Sequence, residues 1–248
     1  MLFPEVCMEC EACISVCPQS GASPPSQGNG RADSCTVCGA CVDVCPMSAR
    51  QMVGQKMTQD EIFDLTIRDQ PFYGAEGGVT FCGGEPLLQW KFLAPVVERL
   101  QKEGLHVAFD TCAAVSRDIV EAVPDQVDLI LADLKLVDAD LHRTWTGRDN
   151  ADILAALQHW DKSMPGRLWI SVPIVPNVQD EAEIDSIADF LSSLLNRPEI
   201  RILPYERFGE SKYLSLGLAG RDFEADGRHI ASYAREAFAR EGLNVLAT

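Results

Sequence analysis

The sequence predicts an α/β protein with a small cysteine-rich domain at its N-terminus. Two observations predict this division. Eight of the ten cysteines lie before residue 46. From about residue 58 onward, β-branched apolar runs alternate with segments of helix length. We therefore expect a metal-binding domain over residues 1–55 and a domain built on a parallel sheet over residues 56–248.

The composition limits the environment and the partners of the chain. The 248 residues carry 21 basic and 37 acidic side chains, a formal net charge of -16. Nucleic acid and anionic membranes are disfavoured as main partners, because binding them requires clustered Lys and Arg. No apolar run reaches the roughly 18 residues of a membrane span, and the first residues do not resemble a signal peptide. We therefore expect a cytoplasmic protein, in which cysteines bind metal more often than they form disulfides.

The N-terminal region contains one cysteine pattern twice, joined by a segment over residues 21–30 that is rich in Ser, Pro and Gly. Each copy reads Cys-x2-Cys-x2-Cys-x3-Cys-Pro, starting at Cys7 and again at Cys35. Three thiolates on a tight turn bind three irons of a cubane cluster, while the fourth reaches across to the other cluster. The spacing therefore predicts two [4Fe-4S] clusters, one held by Cys7, Cys10, Cys13 and Cys45 and the other by Cys35, Cys38, Cys41 and Cys17.

A disulfide knot and a pair of zinc sites are the alternatives for these cysteines. A disulfide knot is typical of short secreted chains, whereas a long core-forming region follows here. Zinc ribbons use paired Cys-x2-Cys turns, and the third cysteine followed by x3-Cys-Pro has no place in a tetrahedral site. The region resembles the two-cluster bacterial ferredoxins over roughly its first 50 residues. That resemblance implies a ferredoxin-like domain that passes single electrons.

The sequence pattern of residues 56–248 predicts repeated strand-helix units. Such repeats indicate parallel strands, either in an open doubly wound sheet or in a barrel. The predicted strands are 79–81, 106–109, 127–132, 168–175, 200–203 and 244–246. The predicted helices are 59–72, 87–103, 153–162, 181–196 and 223–241, several of them with Asp or Thr at the start and Gly at the end.

Polar residues follow four of these strands, where parallel sheets bind their ligands. Each residue alone has an ordinary structural reading, as a turn, a helix cap or a solvated charge. Together the Gly-Gly-Glu-Pro turn, the two strand-end Asp residues and the Lys form one face suited to a polar, zwitterionic ligand. The residues that follow the strands are Gly83, Gly84 and Glu85 after the first, Asp110 and Thr111 after the second, Asp133, Leu134 and Lys135 after the third, and Glu206 after the fifth.

Several segments of the chain resemble the glycyl-radical-enzyme activating enzymes of the radical S-adenosylmethionine superfamily. The resemblance rests on residues 77–89, 110–112, 131–135, 141–147, 203–205 and 212–213. It implies a partial (β/α)6 barrel that holds S-adenosylmethionine against a third [4Fe-4S] cluster. The reduced cluster then yields a 5'-deoxyadenosyl radical, which takes a hydrogen atom from a glycine of a partner lyase. Flavodoxin or ferredoxin would supply the electrons.

The same resemblance implies roles for the polar residues. Gly83, Gly84 and Glu85 would bind the methionine amino group. Asp110, Thr111 and Asp133 would line a cation position beside the carboxylate, together with the Leu131 backbone. Asp133, Leu134 and Lys135 would contact S-adenosylmethionine. Glu206, also included in the predicted cofactor site, stands where the family usually has His.

The chain also departs from the family pattern. It contains no Cys-x3-Cys-x2-Cys motif, which in the family holds the third cluster, and the strand before that motif is missing with it. Ser171 replaces a usual Arg, and Cys82 is expected to be a small buried thiol. Two hypotheses follow: an activase truncated at its start site, or an electron-transfer protein with a degenerate barrel. In either case no catalytic residue is assigned, and these residues alone are expected not to generate the radical.

Overall fold

A computed structural model describes residues 1–23, 34–74, 77–216, 218, 223 and 228–246. The chain divides into two compact units. The N-terminal unit comprises Met1–Lys56 with Glu206–Asp222, and the sheet unit comprises Met57–Tyr205 with Phe223–Thr248. This division differs from the predicted domains, 1–55 and 56–248, chiefly because the segment 206–222 groups with the N-terminal unit. Most of the predicted linker and the start of the predicted helix 223–241 lie outside the described residues.

The sheet unit is built on five parallel strands whose order in space is their order in the chain. A doubly wound sheet reverses its strand order part-way across, whereas the wall of a barrel does not. The sequential order therefore favours the barrel alternative. The predicted sixth strand, 244–246, is reduced to a single parallel bridge between Ile200 and Val245. The strands are β1 (Gly78–Phe81), β2 (His106–Thr111), β3 (Leu129–Asp133), β4 (Leu168–Ile174) and β5 (Glu199–Pro204).

Helices follow the strands, as the sequence predicts, and several begin at the expected caps. Thr58 and Glu61 form a reciprocal capping box at the first helix of this unit. The side chains of Asp138 and Asp180 each accept a hydrogen bond from a first-turn backbone N–H. The helices of the sheet unit are α3 (Gln59–Arg68), α4 (Trp90–Lys102), α5 (Arg117–Ala122), α6 (Ala139–Thr146), α7 (Ala151–Ser163), α8 (Glu181–Ser192) and α10 (Arg228–Arg240). The helices α5 and α6 were not predicted from the sequence.

Successive side chains along each strand point to opposite faces of the sheet, and one of these faces forms the core of the sheet unit. Phe109, Ile130, Ile170 and Ile200 are fully buried and face the helices. Trp160 of α7 packs in the same core, and its indole N–H donates to the Val120 carbonyl at 2.9 Å. The remaining strand positions face the opposite side of the sheet, so polar side chains there are free to meet a ligand.

The N-terminal unit repeats its backbone conformation as well as its cysteines. It contains the helices α1 (Ala12–Ser15), α2 (Ala40–Asp43) and α9 (Glu210–Ser215). Glu11 before α1 and Gly39 before α2 both adopt a left-handed conformation, at equivalent positions of the two repeats. An antiparallel bridge between Leu2 and Arg50 joins the two ends of the cysteine-rich segment. In the described part of the chain, no helix has the length and hydropathy needed to cross a bilayer.

Candidate functional site

The eight N-terminal cysteines line two separate cavities within the N-terminal unit. Each cavity takes three cysteines from one repeat and the fourth from the other. This is the partition that the crossed pairing predicted from the sequence requires. One cavity is lined by Cys7, Cys10, Cys13 and Cys45, and the other by Cys17, Cys35, Cys38 and Cys41.

Backbone N–H groups point at several of these sulfurs. The Gly21 N–H donates to Cys17 Sγ at 3.1 Å, and the Val37 N–H donates to Cys35 Sγ at 3.4 Å. Hydrogen bonds from the backbone of Gln19 and Gly21 lower the pKa of the Cys17 thiol. Such donors stabilise thiolate, the form that binds iron.

The donor set fits iron-sulfur clusters. All eight cysteines are free thiols. Among the residues the structure describes, no three Cys, His, Asp or Glu side chains are close enough to hold one metal ion. A [4Fe-4S] cubane takes four thiolates on different irons and does not require such a group.

Glu85 connects the end of β1 with the end of β2 in the sheet unit. Its Oε1 accepts from the Leu87 N–H at 3.1 Å and from the Thr111 hydroxyl at 2.8 Å. Its Oε2 accepts from the Cys112 N–H at 2.8 Å. Three donors from two segments therefore hold this carboxylate in one orientation. Before it, Gly83 has φ +138°, a conformation that an L side chain rarely adopts.

A row of charged side chains shares the open face of the sheet. The β-ladder pairs Asp133 with Ser171 and Ser171 with Arg201, so these three residues lie on one face. Asp110 pairs with Leu131, which lies on the same face two residues before Asp133. The carboxyl ends of β2 and β3 and the middle of β5 therefore present two carboxylates and a guanidinium on the same face.

Lys135 adds a second cation beside this row. Its Nζ contacts Asp133 Oδ2 at 2.5 Å, and the two side chains keep 36% and 27% of their surface exposed. Gln179, which is buried, fixes the local backbone by donating to the carbonyls of Lys135 at 3.1 Å and Pro173 at 2.8 Å. Lys135 is therefore placed by its backbone while its ammonium group stays accessible.

The neighbouring charges act on Asp110. Partial burial and the nearby Asp133 carboxylate raise the pKa of Asp110, while Arg201 and Lys135 oppose that rise. Two carboxylates this close disfavour each other's charge unless a cation joins them. The arrangement thus suits a ligand or ion that brings positive charge to Asp110 and Asp133.

Some predicted site residues lie elsewhere. Thr111 is buried on the opposite face of β2 from Asp110, so it positions Glu85 and does not line the open face. The Leu134 side chain is 1% exposed and belongs to the core. Glu206 precedes the short 3-10 helix Arg207–Gly209 in the N-terminal unit. Cys82 is exposed, so the expectation of a buried thiol was wrong, because the end of β1 lies at an open sheet edge in the described structure.

Two residues of the site were not predicted from the sequence. Arg201 faces the charged row, but an Arg inside an apolar strand gives no local signal of the face it occupies. Gln179 lies in a loop after β4, and its role depends on tertiary hydrogen bonds. The register of β4 and β5 is what identifies Arg201, because it places this residue beside Ser171.

Comparison with known families agrees with this geometry. A profile described as a 4Fe-4S dicluster domain matches residues 2–46. A profile described as the Radical SAM superfamily matches residues 33–191, more than half of the chain. The chain belongs to the radical SAM superfamily. The predicted α/β fold class with its N-terminal cluster domain is confirmed. This family uses S-adenosylmethionine and [4Fe-4S] clusters, so the predicted cofactors are confirmed as well.

Relatives of this radical SAM chain are activating enzymes. The benzylsuccinate synthase activating enzyme of Thauera aromatica is 37% identical over 228 residues, 88% of this chain and 69% of that protein. The 4-hydroxyphenylacetate decarboxylase activating enzyme of Clostridioides difficile (strain CD196) is 35% identical over 173 residues, 68% of this chain. The chain spans only 54% of the length of that second relative.

A solved structure supports the same grouping for the radical SAM chain. A domain of the pyruvate-formate lyase-activating enzyme from Bacteroides vulgatus ATCC 8482 matches with a TM-score of 0.58 and 30% identity. The match covers 68% of this chain and 98% of that domain. The resemblance to activating enzymes of glycyl radical enzymes is therefore confirmed, while the individual site residues stay predictions.

Proposed function

We propose that this chain is a glycyl-radical-enzyme activating protein whose sheet unit binds S-adenosylmethionine at the carboxyl ends of its strands. The observation that carries the proposal is the charged row of Asp110, Asp133 and Arg201, with Glu85 fixed at its edge. S-adenosylmethionine carries an ammonium, a sulfonium and a carboxylate. A face with both carboxylates and cations complements such a ligand.

The anionic groups of the site would bind the positive groups of the ligand. Glu85 accepts three hydrogen bonds, which leaves room on a carboxylate with about four lone-pair positions for an ammonium. Gly83 and Gly84 lie in an exposed turn without side chains, so the ligand can approach the backbone there. Asp110 and Asp133 would hold a cation or share the positive end of the ligand.

The cationic groups would bind the ligand carboxylate. Lys135 keeps an accessible ammonium beside Asp133. The Arg201 side chain has no hydrogen bond or ion pair with any residue that the structure describes, and its charge acts on Asp110. A guanidinium without a partner among the described residues is well suited to bind a carboxylate in a bidentate way. We propose that Arg201 provides the positive charge that the family usually has at the position of Ser171.

The N-terminal unit would carry electrons. The proposed ligands are Cys7, Cys10, Cys13 and Cys45 for one [4Fe-4S] cluster and Cys17, Cys35, Cys38 and Cys41 for the other, supported by the two cavities that they line. Such clusters exchange one electron at a time. The proposed donor is a flavodoxin or a ferredoxin, and the proposed partner is a glycyl radical enzyme.

Cleavage of S-adenosylmethionine needs one further component. In activating enzymes a third [4Fe-4S] cluster with one open iron supplies the electron that splits the sulfonium. The 248 residues contain no Cys-x3-Cys-x2-Cys motif, and Cys82 and Cys112 are the two cysteines that remain. These residues would therefore bind the cofactor and relay electrons without completing the cleavage.

Isothermal titration calorimetry with S-adenosylmethionine tests the proposal. The cluster-loaded chain is compared with Glu85→Gln and with Glu98→Gln, an equal change at an exposed Glu of α4. We expect E85Q to weaken binding by about tenfold or more, because a hydrogen bond to a charged group contributes about 1.5–3 kcal/mol. E98Q should bind like the wild type. Absence of binding by the wild type would leave a two-cluster electron carrier with a degenerate barrel.

A further inference from the structure

Arg50 lies between the two cavities that the cysteines line. Among the charged residues that line these cavities, Arg50 alone contributes to both. The acidic residues Glu9 and Glu11 both line the same single cavity. The residue is 6% exposed, and it is the one buried charged side chain in the described part of the N-terminal unit. A buried cation is costly unless nearby negative charge compensates it.

The backbone and the side chain of Arg50 are both held in place. The residue forms the antiparallel bridge with Leu2. Its guanidinium Nη2 donates to the Ser23 carbonyl at 2.5 Å. These contacts fix the position of the guanidinium between the two cavities.

The position of Arg50 places its charge beside thiols of both sets. Cys17 and Cys41 line one cavity together with Arg50. Cys45 lines the other cavity together with Arg50.

We propose that Arg50 is a shared electrostatic positioning residue that raises the reduction potentials of both [4Fe-4S] clusters in the N-terminal unit. Each cluster gains one electron on reduction and takes up no proton, so the cluster and its four thiolates become more negative by one charge. A fixed guanidinium nearby stabilises that added charge. The electron comes from the external one-electron donor. The inference rests on the proposed cluster ligands.

A single cation serving both clusters has a functional consequence. It shifts the two potentials in the same direction, so both clusters become easier to reduce and the difference between their potentials changes little.

Redox titration followed by electron paramagnetic resonance tests this role. The anaerobically loaded chain is compared with Arg50→Met, which removes the charge, and with Arg50→Lys, which keeps it. Lys56→Met provides a matched control, because it removes one positive charge from an exposed position of the same unit. We expect R50M to shift both reduction equilibria about tenfold toward the oxidised form, which is about 59 mV for a one-electron couple. R50K and K56M should stay close to the wild type.

Iron content and the spectrum separate failure of the inference from failure of the proposed ligands. A wild-type chain that does not bind eight irons, or does not show two reducible clusters, contradicts the ligand assignment itself. A wild-type chain with two clusters and unchanged midpoints in R50M overturns the role of Arg50. A shift in one midpoint alone, or an equal shift in K56M, also overturns it.

A second neutral variant guards against a folding defect. Arg50→Gln keeps an N–H donor for the Ser23 carbonyl and carries the same expectation as R50M. If neither neutral variant binds both clusters, Arg50 is a structural residue and the proposed effect on the potentials is wrong.

Discussion

The Thr111 hydroxyl donates a 2.8 Å hydrogen bond to Glu85 Oε1 and thereby joins the ends of two neighbouring strands. Thr111 also accepts from the Ala113 N–H at 3.0 Å, so its hydroxyl is fixed on both sides. The carboxylate that is proposed to bind the ligand ammonium is therefore oriented before the ligand arrives. Preorganisation of this kind lowers the cost of binding.

Thr111→Val removes the hydroxyl and keeps the shape of the side chain. We expect the affinity for S-adenosylmethionine to fall by about fivefold, because one hydrogen bond contributes about 1 kcal/mol. Thr111→Ser should restore most of the affinity. Calorimetry measures all three, with Thr144→Val on the exposed side of α6 as control. An unchanged affinity in T111V would show that the Cys112 and Leu87 N–H groups orient Glu85 without help.

Asp110 should make the fold less stable as the pH rises. Burial and the Asp133 carboxylate raise the pKa of Asp110, so the folded chain holds this proton to higher pH than the unfolded chain. The cost in folding free energy begins above the pKa of an unfolded Asp carboxyl, about 3.9. It grows as the pH rises through the raised pKa of folded Asp110 and then levels off. Asp110→Asn removes that cost, so its melting temperature should exceed that of the wild type by most at high pH.

Thermal unfolding of the anaerobic protein from neutral pH down to the unfolded carboxyl pKa of about 3.9 measures this difference. The gain from D110N should shrink toward the acidic end, because the cost of the Asp110 charge disappears as the pH approaches that unfolded pKa. Asp64→Asn, at an exposed position of α3, should show no comparable dependence. A D110N variant that melts below the wild type at high pH would contradict the unfavourable Asp110–Asp133 pair. The same variant should bind S-adenosylmethionine less tightly, a cost in function for the gain in stability.

Arg201→Gln tests the cation that the sequence analysis missed. If Arg201 binds the ligand carboxylate, R201Q should weaken S-adenosylmethionine binding by about tenfold or more, since charged hydrogen bonds contribute about 1.5–3 kcal/mol. Arg201→Lys keeps the charge but loses the bidentate geometry, so its affinity for S-adenosylmethionine should lie between those of the wild type and R201Q. Arg117→Gln, an exposed Arg that pairs with Glu121, serves as control. A decarboxylated ligand analogue should bind wild type and R201Q equally, and a persisting difference would argue against the carboxylate contact.

Local patterns in the sequence predicted the parts of the molecule that depend on local chemistry. The cysteine spacing predicted which thiols share a cavity, because a tight turn brings three of them together and leaves the fourth for the other set. Strand-end positions predicted that Glu85, Asp110 and Asp133 would gather at one edge, because parallel strands end on the same side.

Tertiary contacts decide what the sequence did not reveal. The face of Arg201 depends on the register of β5 against β4, which no single strand contains. Thr111 was expected beside Asp110, but adjacent strand residues point to opposite faces, so it binds Glu85 instead. The grouping of 206–222 with the N-terminal unit depends on contacts between segments far apart in sequence, such as the hydrogen bond from Leu2 N to the Ser215 carbonyl.

The 248-residue chain should bind S-adenosylmethionine without cleaving it. The binding face and the eight clustered thiols are present, but the chain contains no Cys-x3-Cys-x2-Cys motif to hold a cluster with an open iron. After reduction with dithionite, chromatography should therefore detect no 5'-deoxyadenosine and no methionine above the background of buffer. The activating enzyme from Thauera aromatica, prepared in parallel, controls for the reductant and the cofactor. Stoichiometric 5'-deoxyadenosine from this chain would mean that one of its own clusters can open an iron to the sulfonium ligand. Cys17→Ser and Cys45→Ser would then identify the cluster responsible, because each variant removes the one thiolate that comes from the opposite repeat.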